Sequence, residues 1–350
     1  MSKIKTIAMI GHFGGQENFT DGQTVKTKNL YKELSEQTDW EILIVDTYYK
    51  NKNPFSLILN MTAALIKTKK VIVLLSGNGM RFFFPILDFF VKIRKTEVFH
   101  DVIGGNLAQY VIQYPKYRTY LNNFKVNWVE TEKLQAELMK QGIKNAEVLP
   151  NFRRVKLLEE REFEKIYKAP FRFCTFSRVT EAKGIEEAIH GIESVNAEMG
   201  SPISCLDIYG PVDPKYQDRF KRIMENSSSV IHYCGEVPFE QGLSVLKNYY
   251  AVLFPTHWDG EGQAGTVRES FMAGIPVIAT DWHCNKEMIT SGYNGILYPS
   301  DYAHDLVEGI KWLIAHSDNI HNMKRNCLKS AKRYLPDEPV KKVISTMEGC

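Results

Sequence analysis

The sequence predicts an α/β protein built as two doubly wound domains in series. Three observations carry this. Short apolar runs alternate with helix-length amphipathic stretches along nearly the whole chain, the pattern of parallel strands with helices on both faces. The alternation breaks once, at the charged stretch Arg153–Lys168, and then restarts. The length of 350 residues suits two domains of ordinary size better than one.

The strands expected in the first half are Thr6–Ile10, Glu41–Asp46, Val71–Ser76, Glu97–Asp101, Asn127–Thr131 and Ala146–Leu149. Each is rich in Val, Ile or aromatic residues and is followed by Gly, Asn or Asp. Helical patterns such as Val25–Gln37 and Glu132–Gln141 lie between them. Pro150-Asn151 closes the last strand. Beyond the charged stretch the expected strands are Phe171–Ser177, Ser204–Tyr209, Val230–Tyr233, Ala251–Phe254 and Pro276–Ala279. Helices are expected over Gly184–Glu198, Pro214–Asn226, Asp305–His316 and Asn319–Tyr334. No solenoid repeat period is present. The expected domains are residues 1–165 and 166–330, with 331–350 as a terminal helical segment. In folds of this kind ligands bind outside the carboxyl ends of the strands.

Composition narrows the function classes. Hydrophobic residues make up 44% and charged residues 24%, which excludes disorder, collagen and a membrane bundle. The 44 Lys and Arg against 41 Asp and Glu leave a net charge of +3, so nucleic acid is not the expected partner. The six cysteines are widely spaced and none forms a CxxC pair, which points to a reducing, cytoplasmic setting. Met1–Lys5 leads into only about five apolar residues, too few for a signal-peptide core. The uncharged run Pro54–Ile66 is shorter than the roughly 18–20 residues a membrane span needs.

Charge is unevenly distributed. Residues 1–165 hold 25 basic against 18 acidic residues, and the remainder 19 against 23. Within Ile66–Lys95, seven basic residues face Asp88 alone, and Phe82, Phe83, Phe84, Phe89 and Phe90 sit among them. Read as a basic, Phe-rich helix, this stretch suits an anionic membrane surface. Read as a core helix with a solvated basic end, it needs no partner.

The most informative segment runs from Asp259 through Glu261 and Glu269 to Asp281-Trp282. Glycines at 260, 262 and 265 let backbone amides approach a ligand where a helix begins, and free N–H groups at a helix start attract phosphate. Two carboxylates framing an anion site repel phosphate itself. They make sense as acceptors for sugar hydroxyls on either side of the phosphates. A second cluster, Phe176-Ser177-Arg178 to Lys183-Gly184, places two cations at a strand end where they can neutralise a diphosphate. The first loop, Gly11 to Thr27, has glycines at 11, 14, 15 and 22 that do not fit GxGxxG, and GxxxxGK[ST] occurs nowhere. Dinucleotide dehydrogenase and P-loop readings therefore lose their support.

Together these residues resemble glycosyltransferase family 4. The resemblance rests on Arg178 with Lys183, Glu261 with Glu269, the Ala273-Gly274-Ile-Pro-Val-Ile run, Tyr293-Asn294-Gly295, Val148-Leu-Pro-Asn151 and the Gly-rich first loop. It implies the GT-B fold: two Rossmann-like domains facing across a cleft, the C-terminal one holding a nucleotide sugar. It also implies a last helix returning to the first domain, for which Lys329–Ser345 is the candidate.

The resemblance implies roles as well. Arg178 and Lys183 are similar to the pair binding the donor diphosphate, with Ser177 beside them. Glu269 is similar to the carboxylate on the ribose hydroxyls and Glu261 to the one contacting the donor sugar. Gly262 and the amides near Gly265 and Thr266 would serve the donor. Gly22 sits at the family's phosphate-facing glycine, with Gly14 or Gly15 as alternatives because the first loop is longer than usual. His100 is similar to the family's cleft histidine and is carried over as a catalytic candidate, a structural role being the competing reading. Asp101, Gly104, Gly105 and Lys26 are acceptor-side candidates.

The family's transfer is retaining and metal-independent, and no Asp-x-Asp stands here. No cofactor is expected. The donor is a nucleotide sugar, UDP being the commonest base. The expected acceptor is a glycan or polyprenyl-diphosphate-linked glycan at the cytoplasmic membrane face, in bacterial capsule, O-antigen or exopolysaccharide assembly. Two other classes compete. A sugar-nucleotide epimerase of the same fold would turn over donor alone. A non-catalytic glycan- or nucleotide-binding protein would not need all four charged residues.

Overall fold

The computed structural model describes residues 6–17, 19, 21–159, 162, 167–299 and 303–349. Met1–Lys5, the expected 165/166 boundary and much of the second half of the charged stretch lie outside the described residues. Two compact units are present, one of Met1–Arg154 with Arg333–Cys350 and one of Val155–Lys332.

The first unit runs β1 (Thr6–Gly11), α1 (Gly22–Gln37), β2 (Glu41–Asp46), α2 (Pro54–Lys67), β3 (Lys70–Leu74), α3 (Gly77–Arg94), β4 (Glu97–Asp101), α4 (Leu107–Gln113), α5 (Lys116–Asn123), β5 (Val126–Val129), α6 (Glu132–Lys140) and β6 (Ala146–Val148). Its six strands are parallel in the order β2-β1-β3-β4-β5-β6. Side chains alternate across such a sheet. Ala8, Ile10, Val71 and Val73 face the core made with α2 to α6, while Ile7, Met9, Ile72 and Leu74 face α1. Val340, Val343 and Met347 complete that second core from the chain's final helix.

The stretch Ile66–Lys95 is not one helix. Thr68 caps α2, and the β-branched run Val71-Ile72-Val73 enters the sheet as β3 with no exposed surface. The chain starts α3 only after Ser76. Phe83, Phe84 and Phe90 are core, whereas Phe82 and Phe89 are exposed. Asp88 is buried and holds Lys92 at 2.6 Å.

The second unit runs β7 (Phe171–Phe176), α7 (Ile185–Glu198), β8 (Ser204–Tyr209), α8 (Gln217–Asn226), β9 (Ile231–Gly235), α9 (Gly242–Leu246), β10 (Ala251–Phe254), α10 (Gly265–Met272), β11 (Val277–Thr280), α11 (Asn285–Met288), β12 (Gly295–Tyr298), α12 (Ala303–Ala315) and α13 (Ile320–Ala331). Its parallel strands are ordered β12-β11-β10-β7-β8-β9. The edge strand β12 has no counterpart among the expected strands. The expected last helix, Lys329–Ser345, is broken at Leu335-Pro336; α13 ends before it, and α14 (Asp337–Glu348) follows in the first unit.

A buried polar network crosses the first unit. The Lys26 ammonium, on α1, lies 2.7 Å from Asp101 Oδ1 and donates to Glu130 Oε1 at 2.9 Å and to the Val102 carbonyl at 2.8 Å. Burial opposes the Lys26 charge, but the two carboxylates outweigh it and raise its pKa. His100 points to the opposite side of β4. It is fully buried, its Nδ1 is 3.1 Å from Asn127 Oδ1, and the rings of Phe84 and Phe124 pack on it.

Burial lowers the His100 pKa to about 4. The unfolded chain therefore binds the extra proton first as pH falls, and stability is lost between about pH 6.5 and 4. We expect wild type to lose about 3 kcal/mol more than His100→Gln over that window, by urea unfolding at each pH. Parallel curves for the two proteins would refute it.

Candidate active site

The strand order places the topological switch of the second unit between β7 and β10. From β7 the chain runs outward to β8 and β9, then returns to β10 on the other side. In open α/β sheets ligands bind outside the carboxyl ends of the strands at such a switch. The two charged sequence clusters follow these two strands.

The loop after β7 is pinned to its surroundings by backbone hydrogen bonds. Ser177 N donates to Tyr209 O at 3.2 Å, and Val179 N donates to Pro211 O at 2.9 Å. It then forms the tight turn Glu181–Lys183 and meets Gly184 at φ +68°. A Cβ on Gly184 would come within 1.9 Å of the Pro255 carbonyl, so only glycine lets this loop lie on the one after β10. Backbone also joins the two loops directly, His257 N donating to Ala182 O at 2.8 Å.

This register brings Lys183 and Glu261 together. They form an ion pair with side chains 10% and 11% exposed, and Thr256 Oγ1 donates to the same carboxylate at 3.2 Å. The Lys183 ammonium also lies 5.3 Å from the Phe254 ring centroid. Arg178 is exposed, its guanidinium 5.5 Å from the Trp258 ring on the loop carrying Glu261.

Helix α10 opens directly after this loop. No side chain caps its first amides, Gly265 is its first residue, and Gly262 lies in the bend before it. Thr266 Oγ1 donates to Phe176 O at 2.8 Å, tying the helix start to the end of β7. Glu269 turns toward α9: a Cβ on Gly242 would sit 3.7 Å from its Oε2. Paired Lys183 and Glu261, exposed Arg178, the uncapped start of α10 and Glu269 thus all belong to the segments that follow β7 and β10.

The remaining expected residues lie in the first unit. Gly15 has φ +59°, but its amide donates to Asp46 Oδ2 at 2.8 Å and is not available to a ligand. Gly22 starts α1 with open space where a Cβ would be, while Asp21 accepts from the Gln23 and Thr24 amides. Gly104 and Gly105 form a half-buried bend between β4 and α4. Lys26 and Asp101 are occupied with each other and with Glu130, and His100 has no exposed surface. The catalytic reading of His100 and the acceptor-side readings of Lys26 and Asp101 therefore find no accessible group.

Two features escaped the sequence. Glu187 on α7 accepts from Tyr298 Oη at 2.8 Å and lies 3.1 Å from His257 Nε2, joining three elements distant in sequence. Arg268, adjacent to Glu269, is buried. No local pattern marks the first, and Gly265-Thr-Val-Arg-Glu-Ser270 reads as an ordinary solvated helix start that conceals the second.

Known proteins share this architecture. The chain is similar to an uncharacterized glycosyltransferase of Methanocaldococcus jannaschii, 21% identical over 181 residues, which is 51% of this chain and 44% of that protein. It is also similar to the D-rhamnosyltransferase WbpZ of Pseudomonas aeruginosa, 27% identical over 97 residues, 27% of this chain and 26% of that one. The matches thus span less than half the length of these curated relatives. The structure of Anabaena Alr3699/HepE in complex with UDP superposes with a TM-score of 0.73 at 13% identity, covering 99% of this chain and 100% of that one. The two parallel six-stranded sheets with alternating helices are thus the GT-B fold. The sequence model of the family described as glycosyl transferases group 1 matches residues 158–332, half of the chain, and the protein belongs to that family.

Proposed function

We propose that this glycosyltransferase is a retaining, metal-independent enzyme of the family 4 type, moving a sugar from a nucleoside-diphosphate donor to a glycan or polyprenyl-diphosphate-linked glycan. The observation that carries the reading is the Lys183–Glu261 pair at the switch point between β7 and β10. Without donor, each charge neutralises the other. When a donor enters, its phosphate oxygens take over Lys183, and Glu261 is released to accept from sugar hydroxyls. Arg178 closes on the diphosphate from the exposed side, the Gly265 and Thr266 amides meet it from the helix, and Glu269 accepts from the ribose.

In the proposed step the bond from the anomeric carbon to the phosphate oxygen breaks, and its electron pair leaves with the nucleoside diphosphate. The acceptor hydroxyl forms the new bond on the same face and passes its proton to that departing oxygen. No separate general base is needed, and none is offered by buried His100. The cations and amides stabilise the charge that develops on the leaving group. The second unit (expected as 166–330) is the donor side and the first (expected as 1–165 with 331–350) the acceptor side. UDP is the proposed nucleotide, as in the ligand of the HepE structure.

The acceptor reading draws on the surface of the first unit. No helix among the described residues is long and apolar enough to cross a membrane. Phe55, Leu59 and Ile66 on α2 and Phe82, Phe89 and Ile93 on α3 are nevertheless exposed, and Arg94 Nη2 donates to the Ile66 carbonyl at 2.9 Å, joining the ends of the two helices. Lys67, Lys92, Arg94 and Lys95 cluster at those ends, the composition of a surface resting on anionic lipid. A lipid-linked acceptor at the inner face of the cell membrane, in surface polysaccharide assembly, fits such a surface.

Three measurements test this. Lys183→Ala and Glu269→Ala should each lower nucleotide release from the donor in the presence of acceptor by about a hundredfold or more, with circular dichroism unchanged. Near wild-type rates for both would reject the site. EDTA should leave turnover unchanged; a loss that magnesium restores would reject the metal-free step. Charge reversal of Lys92, Arg94 and Lys95 to Glu should release the protein from vesicles containing phosphatidylglycerol, and unaltered co-sedimentation would remove the membrane surface.

A further inference from the structure

Arg268 is a buried cation that none of the contacts above employs. It sits in the first turn of α10 and is only 7% exposed. Its Nη2 lies 3.8 Å from Glu269 Oε1, too far for a hydrogen bond. Nε and Nη1 are buried and have no hydrogen-bond partner. Long side chains on a helix run back toward its start. Here Nη2 is the nearest atom, at 3.9 Å, to the point a Cβ on Gly265 would occupy. The guanidinium is thus drawn back over the uncapped mouth of α10.

As it stands the arrangement is unfavourable twice over. A buried charge with two nitrogens lacking acceptors is costly, and a cation at a helix start meets the positive end of the dipole. An anion at the helix mouth would resolve both, accepting from the guanidinium and from the uncapped amides at once. Glu269 does not do so, because its Oε1 approaches Nη2 only to ion-pair distance and leaves Nε and Nη1 unsatisfied.

We propose that Arg268 is a third cation of the donor-diphosphate site, positioning a phosphate at the mouth of α10 and exchanging Glu269 for phosphate oxygens as the ribose occupies that carboxylate. This rests on the donor reading of α10 given above. Its distinguishing mark is opposition between stability and binding: the residue weakens the empty protein and strengthens the liganded one.

The test uses full-length wild type, Arg268→Leu and Arg268→Lys in thermal unfolding and calorimetric titration, with UDP, GDP, ADP, dTDP and inorganic pyrophosphate as probes. Arg268→Leu should melt at or above the wild-type temperature when empty, because an uncompensated buried charge has gone. Its affinity for the preferred nucleoside diphosphate and for pyrophosphate should fall at least tenfold, with Arg268→Lys in between. Wild-type affinity in both variants would overturn the proposal, as would a lower melting point with affinity retained, which would make Arg268 structural. Should Arg268→Leu fail to fold, unchanged affinity in Arg268→Lys and Arg268→Met would overturn it equally. A wild type that no nucleoside diphosphate stabilises would instead overturn the donor reading, a result separable from the first.

Discussion

The contact between two loops at the centre of the second sheet governs how the chemical groups of this protein are arranged. Gly184 lies so close to the Pro255 carbonyl that any side chain would collide with it, and the backbone bond from His257 to Ala182 holds the loops in register. Lys183 and Glu261 meet as a consequence. A nearly buried ion pair contributes little net stability after desolvation. In the proposed transfer its value lies elsewhere: two opposite charges are held in a poorly solvated place, where each would take a new partner without much rearrangement.

Much of the architecture was legible because parallel strands buried on both faces read as short continuous apolar runs. Phe171–Phe176 and Ala251–Phe254 stand out between polar loops, and their expected ranges agree with the observed strands to within a residue. β12 was not legible: Gly295-Ile-Leu-Tyr298 is four residues long, and its glycine is there because the Val277 carbonyl would lie 2.3 Å from a Cβ. In the stretch 66–95 the expected strand Val71–Ser76 is present as β3, and it divides the basic and phenylalanine residues, which composition alone groups as one helix, between α2 and α3.

The placement of Arg178, Lys183, Glu261 and Glu269 after β7, after β10 and on α10 was legible from the strand and glycine pattern. The site was not legible where burial decides. His100-Asp101 closes a strand in an inviting position, yet consecutive residues on a strand face opposite sides. One ring therefore joins Phe84 and Phe124 in the core, and the neighbouring carboxylate joins Lys26. The same blindness to burial hid Arg268, whose sequence neighbourhood looks like an ordinary solvated helix start.

Helix α14 supplies Val340, Val343 and Met347 to the hydrophobic layer beneath β1 and β3, although it is separated from the rest of that unit by the whole of Val155–Lys332. A chain emerging vectorially from the ribosome can complete the second unit before it can complete the first. Ile7, Met9 and Leu30 are made before α14 and stay incompletely covered until that helix arrives.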